Sequence, residues 1–284
     1  MGKIYDALEK SQKERKPTVA TNKGAIVDFY EKTSRKEQAS GLQQPIISDD
    51  RVDRNLVTYL DPQSLESEMF KILRGSLLFP SEGVPPRSIL ITSALPGEGK
   101  SFVATNLAVS IAQNINEYVL LVDADIRKPS VHHYFGFDQT NGLADYLRQP
   151  APLSDMLLKT GIDKLTVLPG GHPPHNPAEL LSSKAMSALL KEVTERYSDR
   201  YIVIDSPPPQ LTAETSAIAR QVDGIVIVVK YGSTPRQMVE ELVDTLGKEK
   251  ILGCVMNWFD LRSSSYYGYG KYGKYSKYYR KKLG

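Results

Sequence analysis

SILITSALPGEGKS, residues 88–101, joins a short run of apolar and β-branched residues to a glycine-rich loop that ends in lysine and serine. The run predicts a buried β-strand, and the stretch from Phe102 to Gln113 predicts a helix directly after the loop. Glycines at 97 and 99 let backbone N–H groups surround a phosphate, while the helix points its positive end at the same anion. Strand, loop and helix in this order predict a phosphate-binding site.

The loop matches the Walker A pattern of ATP-binding proteins, except that Ala94 stands where the first glycine is usual. Alanine costs little at that position if its φ is negative. We expect Lys100 to reach the β- and γ-phosphates of ATP and the Ser101 hydroxyl to bind Mg²⁺. The predicted nucleotide contacts in this segment are Pro96, Gly97, Glu98, Gly99, Lys100, Ser101 and Phe102.

Further short apolar runs alternate with helical stretches along the chain. They cover residues 118–122, 165–168, 201–204, 225–229 and 251–256. Continuously apolar strands separated by helices are typical of a parallel sheet that is covered on both faces. We therefore predict an α/β fold of the P-loop NTPase type, with a doubly wound, mostly parallel sheet and its ligand at the carboxyl ends of the strands.

Three carboxylates follow two of these predicted strands. Asp123 and Asp125 come after the run 118–122, and Asp205 ends the run 201–204. Each aspartate alone is also a common turn or cap residue. Three acids beside a phosphate loop, however, offer the hard oxygen ligands that Mg²⁺ prefers. We predict Lys100, Asp123, Asp125 and Asp205 as catalytic residues and Ser101, Asp125 and Asp205 as Mg²⁺ ligands.

Both ends of the chain differ from this core. Residues 1–60 are polar and mix charges of both signs, which predicts a flexible arm before an ATP-binding domain at 61–260. Residues 261–284 are rich in Gly, Ser, Lys and Tyr and predict a disordered tail. Seven basic residues and no acid follow Asp260, in a chain of net charge +3. Such a tail could bind nucleic acid, an anionic membrane or an acidic site on another copy.

Composition argues against several classes of protein. The apolar runs are all shorter than the roughly 18 residues that span a bilayer, and no signal peptide opens the sequence, so we expect a cytoplasmic protein. Cys254 is the one cysteine, so we expect no intrachain disulfide and a small, buried, apolar side chain. His132, His133, His172 and His175 form no recognised ligand motif, so zinc is not expected.

Taken together, these motifs resemble the bacterial tyrosine kinases, a branch of the P-loop ATPases with a deviant second Walker motif. The resemblance spans about residues 64–280 and rests on the Walker A loop, on DADIRKP at 123–129, on LPGG at 168–171 with NPAELL at 176–181, and on the terminal tyrosines. It implies ATP-dependent autophosphorylation of that cluster, with Asp123 as proton acceptor or metal ligand. The implied acceptors are Tyr266, Tyr267, Tyr269, Tyr272, Tyr275, Tyr278 and Tyr279.

The resemblance also implies partners and a location. Kinases of this family act at the inner face of the cell membrane with an adaptor, the polysaccharide co-polymerase of exopolysaccharide export, and with a protein-tyrosine phosphatase. They form homo-oligomeric rings, and nucleic acid is not an expected partner. Glu68, Lys71 and Arg74 resemble a subunit-contact motif, with lysine in place of the middle arginine. Their spacing of three residues is also compatible with a solvated ladder of charges.

The role of Asn257 and the function of the whole chain each have alternative interpretations. Asn257 resembles an asparagine that reads the adenine edge, but a turn residue at the end of a strand is as plausible. A partition or septum-positioning ATPase would use the same motifs and carry its basic tail to DNA or membrane. Such a protein does not need seven tyrosines within fourteen residues. A structural Gly-Tyr tail on an incidental ATPase is the third possibility.

Overall fold

The computed structural model describes residues 51–149, 151–195, 200–207 and 213–259. The predicted tail with its seven tyrosines, and residues 1–50 of the predicted arm, lie outside the described residues. In those four ranges, no helix combines the length and the apolar character needed to cross a membrane.

The strands of the described residues form one sheet. They are Ser88–Ser93 (β1), Tyr118–Asp123 (β2), Leu158–Lys159 (β3), Leu165–Leu168 (β4), Arg200–Asp205 (β5), Gly224–Lys230 (β6) and Ile251–Asn257 (β7). Their order across the sheet is β3-β4-β2-β5-β1-β6-β7. Every neighbouring pair is parallel except β3 with β4. The predicted α/β fold is confirmed, and the two-residue β3 is an addition that is too short for any periodic signal.

Helices connect most of these strands. They are Val57–Leu60 (α1), Leu65–Leu78 (α2), Lys100–Ala112 (α3), Val131–Tyr134 (α4), Leu143–Arg148 (α5), Pro177–Leu181 (α6), Lys184–Glu195 (α7), Ala213–Ala219 (α8) and Arg236–Leu246 (α9), with 3₁₀ turns at Leu153–Met156 and Lys248–Lys250. Helix α2 carries Glu68, Lys71 and Arg74. It begins where the Ser64 side chain accepts a hydrogen bond from the backbone of Ser67, which satisfies one of the free N–H groups of the first turn.

The core lies on both faces of the sheet. Every residue of β1, β4 and β5 is buried. Ile89 and Ile91 join a cluster with residues of α2 and α3. Leu90 lies between them in the strand and is equally buried, although its side chain points to the opposite face. Cover on both faces leaves the loops at the carboxyl ends of the strands as the place for a site.

The segment 51–60 packs on this domain, although the sequence placed it in the polar arm. Leu56 is fully buried. The backbone N–H of Thr58 donates to Asn106 Oδ1 at 3.0 Å, and Gln113 Nε2 donates to the Thr58 carbonyl at 2.8 Å. Asn106 lies in α3 and Gln113 caps its carboxyl end, about 50 residues further along the chain. Local composition does not reveal such contacts, so the packed part of the chain begins earlier than predicted.

Strand β7 lies at the edge of the sheet and is largely exposed. The exposed residues are Leu252, Gly253, Cys254 and Met256, and the partly covered ones are Ile251, Val255 and Asn257. The expectation of a buried Cys254 is therefore wrong, since the thiol lies on the open face of an edge strand.

Candidate active site

The phosphate loop has the backbone shape that its sequence predicts. Gly97 and Gly99 have φ angles of 75° and 92°, and Gly99 is the left-handed residue before the first turn of α3. A side chain at Gly99 would be strained by this φ. A Cβ there would also lie 2.1 Å from Asn257 Nδ2. The loop therefore requires glycine at 99 for two separate reasons.

Glu98 lies in this loop, but its carboxylate is directed into the protein. The residue is 2% exposed. Its Oε2 accepts a hydrogen bond from the Leu95 N–H at 2.8 Å, and its Oε1 accepts one from the Thr234 hydroxyl. Asn257 Nδ2 donates to the Glu98 carbonyl at 2.8 Å. The Asn257 side chain thus contacts the phosphate loop from the end of β7. Its predicted contact with the adenine stays a prediction.

Lys100 and Ser101 open helix α3 beneath the loop. Lys100 is 7% exposed, and its ammonium lowers the pKa of Asp125 and of Asp205 against the effect of burial, so it lies near both carboxyls. The Ser101 hydroxyl accepts a hydrogen bond from the Ser130 hydroxyl at 3.3 Å. One cation and one hydroxyl therefore face the predicted acids.

The acids meet because β2 and β5 are parallel neighbours. Asp123 lies opposite Asp205 in the register of these strands, and both are fully buried. The Asp123 carboxylate accepts three backbone hydrogen bonds, from Asp125 at 3.1 Å, Ser130 at 2.9 Å and Val131 at 3.0 Å. Within the described ranges, neither carboxylate oxygen of Asp205 has a hydrogen bond of normal geometry. The two acids therefore differ in what they are free to bind.

Burial dominates the electrostatics of this pair. Burial raises the pKa of Asp123 well above its usual value, and the neighbouring Asp205 adds to the rise. Burial also raises the pKa of Asp205 to about 7, although the nearby Ser101 hydroxyl and Lys100 ammonium act in the opposite direction. Asp125 is half-buried, and burial raises its pKa as well. A cation in the site would lower the pKa of all three acids and favour their carboxylate forms.

Mg²⁺ fits this corner of the protein. In the part of the chain that the structure describes, no group of three or more His, Cys, Asp and Glu side chains could hold a metal ion alone. Mg²⁺ needs no such group, since it usually takes one or two carboxylates and completes its shell with phosphate oxygens and waters. The buried oxygens of Asp205, which have no hydrogen bond of normal geometry among the described residues, provide that kind of partial shell together with the nearby Ser101 hydroxyl.

An ion pair that sequence reasoning missed connects two loops of the site. Arg127 follows Asp125, and its Nη2 and Nε lie 2.7 and 3.1 Å from Oε1 of Glu214 at the start of α8. The Glu214 side chain is fully buried, while that of Arg127 is 49% exposed. The pair joins the loop after β2 to the segment after β5, so it helps to fix Asp125 relative to Asp205.

We expect Arg127→Met to lower the free energy of unfolding by roughly 2–4 kcal/mol, because it leaves the buried carboxylate of Glu214 without its cation. Urea unfolding of both proteins measures this change. Arg236→Met is the matched control, since Arg236 pairs with Glu240 on the exposed face of α9 and should cost less than about 1 kcal/mol. Equal losses in the two variants would contradict the structural role of the Arg127–Glu214 pair.

The LPGG segment at 168–171 also reaches the acids. A Cβ at Gly170 would lie 2.8 Å from Pro129 Cβ and 3.4 Å from Asp123 Cγ. The backbone N–H groups of Leu143 and Ala144 donate to the carbonyls of Pro169 and Gly170 at 2.7 and 3.0 Å. The glycine turn thus packs directly beside Asp123, which explains why a residue without a side chain stands there.

The predicted subunit-contact residues lie on α2, outside the acid cluster. Lys71 Nζ lies 2.7 Å from Glu68 Oε1 and donates to the Pro62 carbonyl at 2.8 Å. Arg74 Nη1 donates to the Ser110 carbonyl on α3 at 2.6 Å. These contacts are all within one chain. The role of Glu68, Lys71 and Arg74 in a ring therefore stays a prediction.

Comparison with known proteins separates the two classes of ATPase that share these motifs. The family model described as ParA, NUBPL iron-transfer P-loop NTPase, matches residues 86–266, so the chain has a P-loop NTPase domain that binds nucleotide. It is also 38% identical over 221 residues to the tyrosine-protein kinase YwqD of Bacillus subtilis strain 168. That match covers 77% of this chain and 92% of the relative. This chain belongs to the bacterial tyrosine kinases.

Solved structures agree with this assignment to the bacterial tyrosine kinases. The kinase domain of the Escherichia coli tyrosine kinase ETK matches with a TM-score of 0.70 and 27% identity, over 81% of this chain and 89% of that one. The chimerical protein CapA2B2 matches with a TM-score of 0.66 and 33% identity, over 80% and 98% of the two chains. The kinase interpretation is confirmed over the partition ATPase, and the role of the tail stays a prediction.

Proposed function

We propose that this kinase transfers the γ-phosphoryl group of ATP to the seven tyrosines of its C-terminal cluster. In this proposal, the active site of one copy phosphorylates the tail of another copy. The observation that carries the proposal is the meeting of Asp123, Asp205, Lys100 and Ser101 at the carboxyl ends of parallel strands. The tyrosine-rich, basic tail follows the last strand of the same domain.

The geometry supports distinct roles for these residues. Lys100 binds the β- and γ-phosphates. Ser101, Asp125 and Asp205 would hold Mg²⁺, which would supply positive charge to neutralise the transferred group. Asp123 already accepts three backbone hydrogen bonds, so its first role is to orient the loop 123–131. Its raised pKa also suits it to accept the proton of the attacking tyrosine.

Charge supports transfer to the tail and its later release. The tail carries about +7 before modification, and the site presents Asp123, Asp125 and Asp205, so the two attract each other. Nine residues separate Asp260 from Tyr269 and span up to roughly 30 Å, so reach alone does not exclude a chain from phosphorylating itself. The family resemblance favours a neighbouring copy. Each phosphate adds about −1.5 to −2, so four of them cancel the charge of the tail.

This change of charge connects the chemistry to a cycle of assembly. Unmodified copies associate in a ring in which Glu68, Lys71 and Arg74 of α2 take part, and phosphorylated tails then repel the acidic sites. A protein-tyrosine phosphatase resets the cycle. We place the kinase at the inner face of the membrane, where the cytoplasmic segment of a polysaccharide co-polymerase activates it and the cycle regulates exopolysaccharide export.

A mixing experiment tests transfer between copies. We expect a Lys100→Met chain with intact tyrosines to become phosphorylated when it is mixed with an active chain in which all seven tail tyrosines are Phe. Incubation with labelled ATP and a phosphotyrosine blot, with one chain made longer by a tag, measures where the label goes. Each chain alone is the control. An unlabelled Lys100→Met chain beside an active partner excludes transfer in trans. A wild-type chain that carries no phosphotyrosine even when the activating co-polymerase segment is present excludes the proposed function itself.

A further inference from the structure

The phosphate loop is tied to a distant loop through a buried carboxylate. Both oxygens of Glu98 accept hydrogen bonds, one from the Leu95 N–H and one from the hydroxyl of Thr234, which lies 136 residues further along the chain. Thr234 belongs to the turn between β6 and α9 and is half-buried. Both donors are neutral. Among the described residues, these two hydrogen bonds replace the water that a nearly inaccessible carboxylate has lost.

The Thr234 hydroxyl is oriented for this contact. Its oxygen accepts the Lys230 N–H at 2.9 Å. Its single proton has two acceptors within reach, the Glu98 carboxylate and the Lys230 carbonyl, the latter at 3.3 Å. The charged acceptor forms the stronger hydrogen bond. Two hydrogen bonds therefore follow one another, from the Lys230 N–H to the Thr234 oxygen and from the Thr234 hydroxyl to the Glu98 carboxylate.

The position of Glu98 makes this contact important for the nucleotide. Glu98 lies between Gly97 and Gly99, in the segment whose N–H groups face the phosphates. Its carboxylate is directed away from that surface, toward Thr234 and Leu95. A carboxylate released from Thr234 keeps one of the two donors that it has within the described residues, and a rotation toward the phosphate-binding surface would let it regain solvation. There it would repel the triphosphate.

A second contact holds the same residue by its backbone. Asn257 Nδ2 donates to the Glu98 carbonyl at 2.8 Å. Thr234, in the turn after β6, thus holds the side chain of Glu98. Asn257, at the end of β7, holds its main chain. The loop is then shaped before the nucleotide arrives, which lowers the entropy that binding must remove.

We propose that Thr234 is a positioning residue for ATP: its hydroxyl holds the Glu98 carboxylate away from the phosphates and keeps the phosphate loop in its binding shape. The inference rests on nucleotide binding at this loop and deepens the proposed kinase function. Thr234 acts through Glu98 and touches no reacting atom. The prediction therefore concerns the affinity for phosphate-bearing ligands more than the rate of transfer.

The first test compares three substitutions in the full chain. Thr234→Val keeps the shape but removes the hydroxyl, and we expect Mg-ADP to bind about tenfold more weakly by calorimetry, since a buried charge loses a donor. Thr234→Ser restores the hydroxyl and should bind within about twofold of wild type. Thr245→Val removes an exposed hydroxyl that donates to the Glu241 carbonyl within α9, and this variant should bind Mg-ADP like wild type. Thermal unfolding checks that all three variants are folded.

Kinetics and a second substitution separate positioning from a merely structural role. We expect Thr234→Val to raise the KM for ATP about tenfold with kcat within about twofold. Glu98→Gln removes the charge that would repel phosphate, so in the Thr234→Val background it should recover most of the lost affinity, and the two effects should not multiply. Wild-type affinity in Thr234→Val, or multiplied losses in the double variant, overturns the inference. Loss of phosphotyrosine in wild type with these affinities intact would refute only the kinase function.

Discussion

Lys100→Met is expected to lower tyrosine phosphorylation by roughly 10²–10³-fold, since it removes a buried cation that meets the charge of the transferred phosphoryl group. Lys100 is 7% exposed at the first position of α3. Its ammonium lies close enough to Asp125 and Asp205 to lower the pKa of each. Methionine has a similar length and no charge, so the packing of α3 is retained while the phosphates lose their cation.

Two measurements and one control define the result for Lys100→Met. Calorimetry with Mg-ATP gives the loss of affinity, and a phosphotyrosine blot of the variant alone gives the loss of transfer. Lys191→Met is the matched control, since Lys191 is exposed on α7 and is paired only loosely, at 3.9 Å, with Glu195. Undiminished labelling of the Lys100→Met chain by itself would show that the phosphate site has been placed wrongly.

Features that are encoded by local pattern could be predicted from the sequence. Residues 89–91 are all apolar because β1 is central in the sheet and buried on both faces. The meeting of Asp123 and Asp205 also follows from sequence alone, because each ends a strand of a parallel sheet and such ends lie along one edge. Strand position and chemistry together therefore predict the acid cluster without any knowledge of tertiary contacts.

Contacts between distant residues account for what the sequence did not predict. Glu98 and Thr234 meet across 136 positions, and Arg127 and Glu214 across 87. Neither Thr234 nor Glu214 belongs to a motif, and each pairing depends on which loops the sheet order brings together. Cys254 was misjudged for a related reason, because an apolar run has the same composition in a central strand and in an edge strand such as β7.

Asp205→Asn is expected to stabilise the nucleotide-free protein while it removes most of the kinase activity. In wild type, folding buries an acid whose oxygens lack hydrogen bonds of normal geometry within the described residues, and burial raises its pKa to about 7. An ionised carboxylate in that place opposes folding, and an amide of the same shape carries no charge. We propose the same carboxylate as a ligand for Mg²⁺, so its loss should slow transfer by roughly a hundredfold.

The sign of the pH dependence follows from the raised pKa of Asp205. The folded protein binds this proton more tightly than the unfolded chain, whose aspartate has the usual pKa of 3.8. The resulting stabilisation is complete below about pH 4 and is lost as the pH rises through about 7. Wild type should therefore lose stability between pH 5 and pH 8 relative to Asp205→Asn, and the difference in Tm should reach roughly 5 °C or more at pH 8.

Thermal unfolding at pH 5, 6, 7 and 8, with and without Mg-ADP, measures both effects. Without ligand, the Tm of Asp205→Asn should exceed that of wild type by an amount that grows with pH. Mg-ADP should raise the Tm of wild type most at pH 8, where the carboxylate is ionised, and should raise that of Asp205→Asn much less. Asp244→Asn, on the exposed face of α9, should behave like wild type in every condition. An Asp205→Asn protein that is less stable than wild type at pH 8, or that keeps its rate of transfer, would assign Asp205 a structural role in place of the metal-binding one.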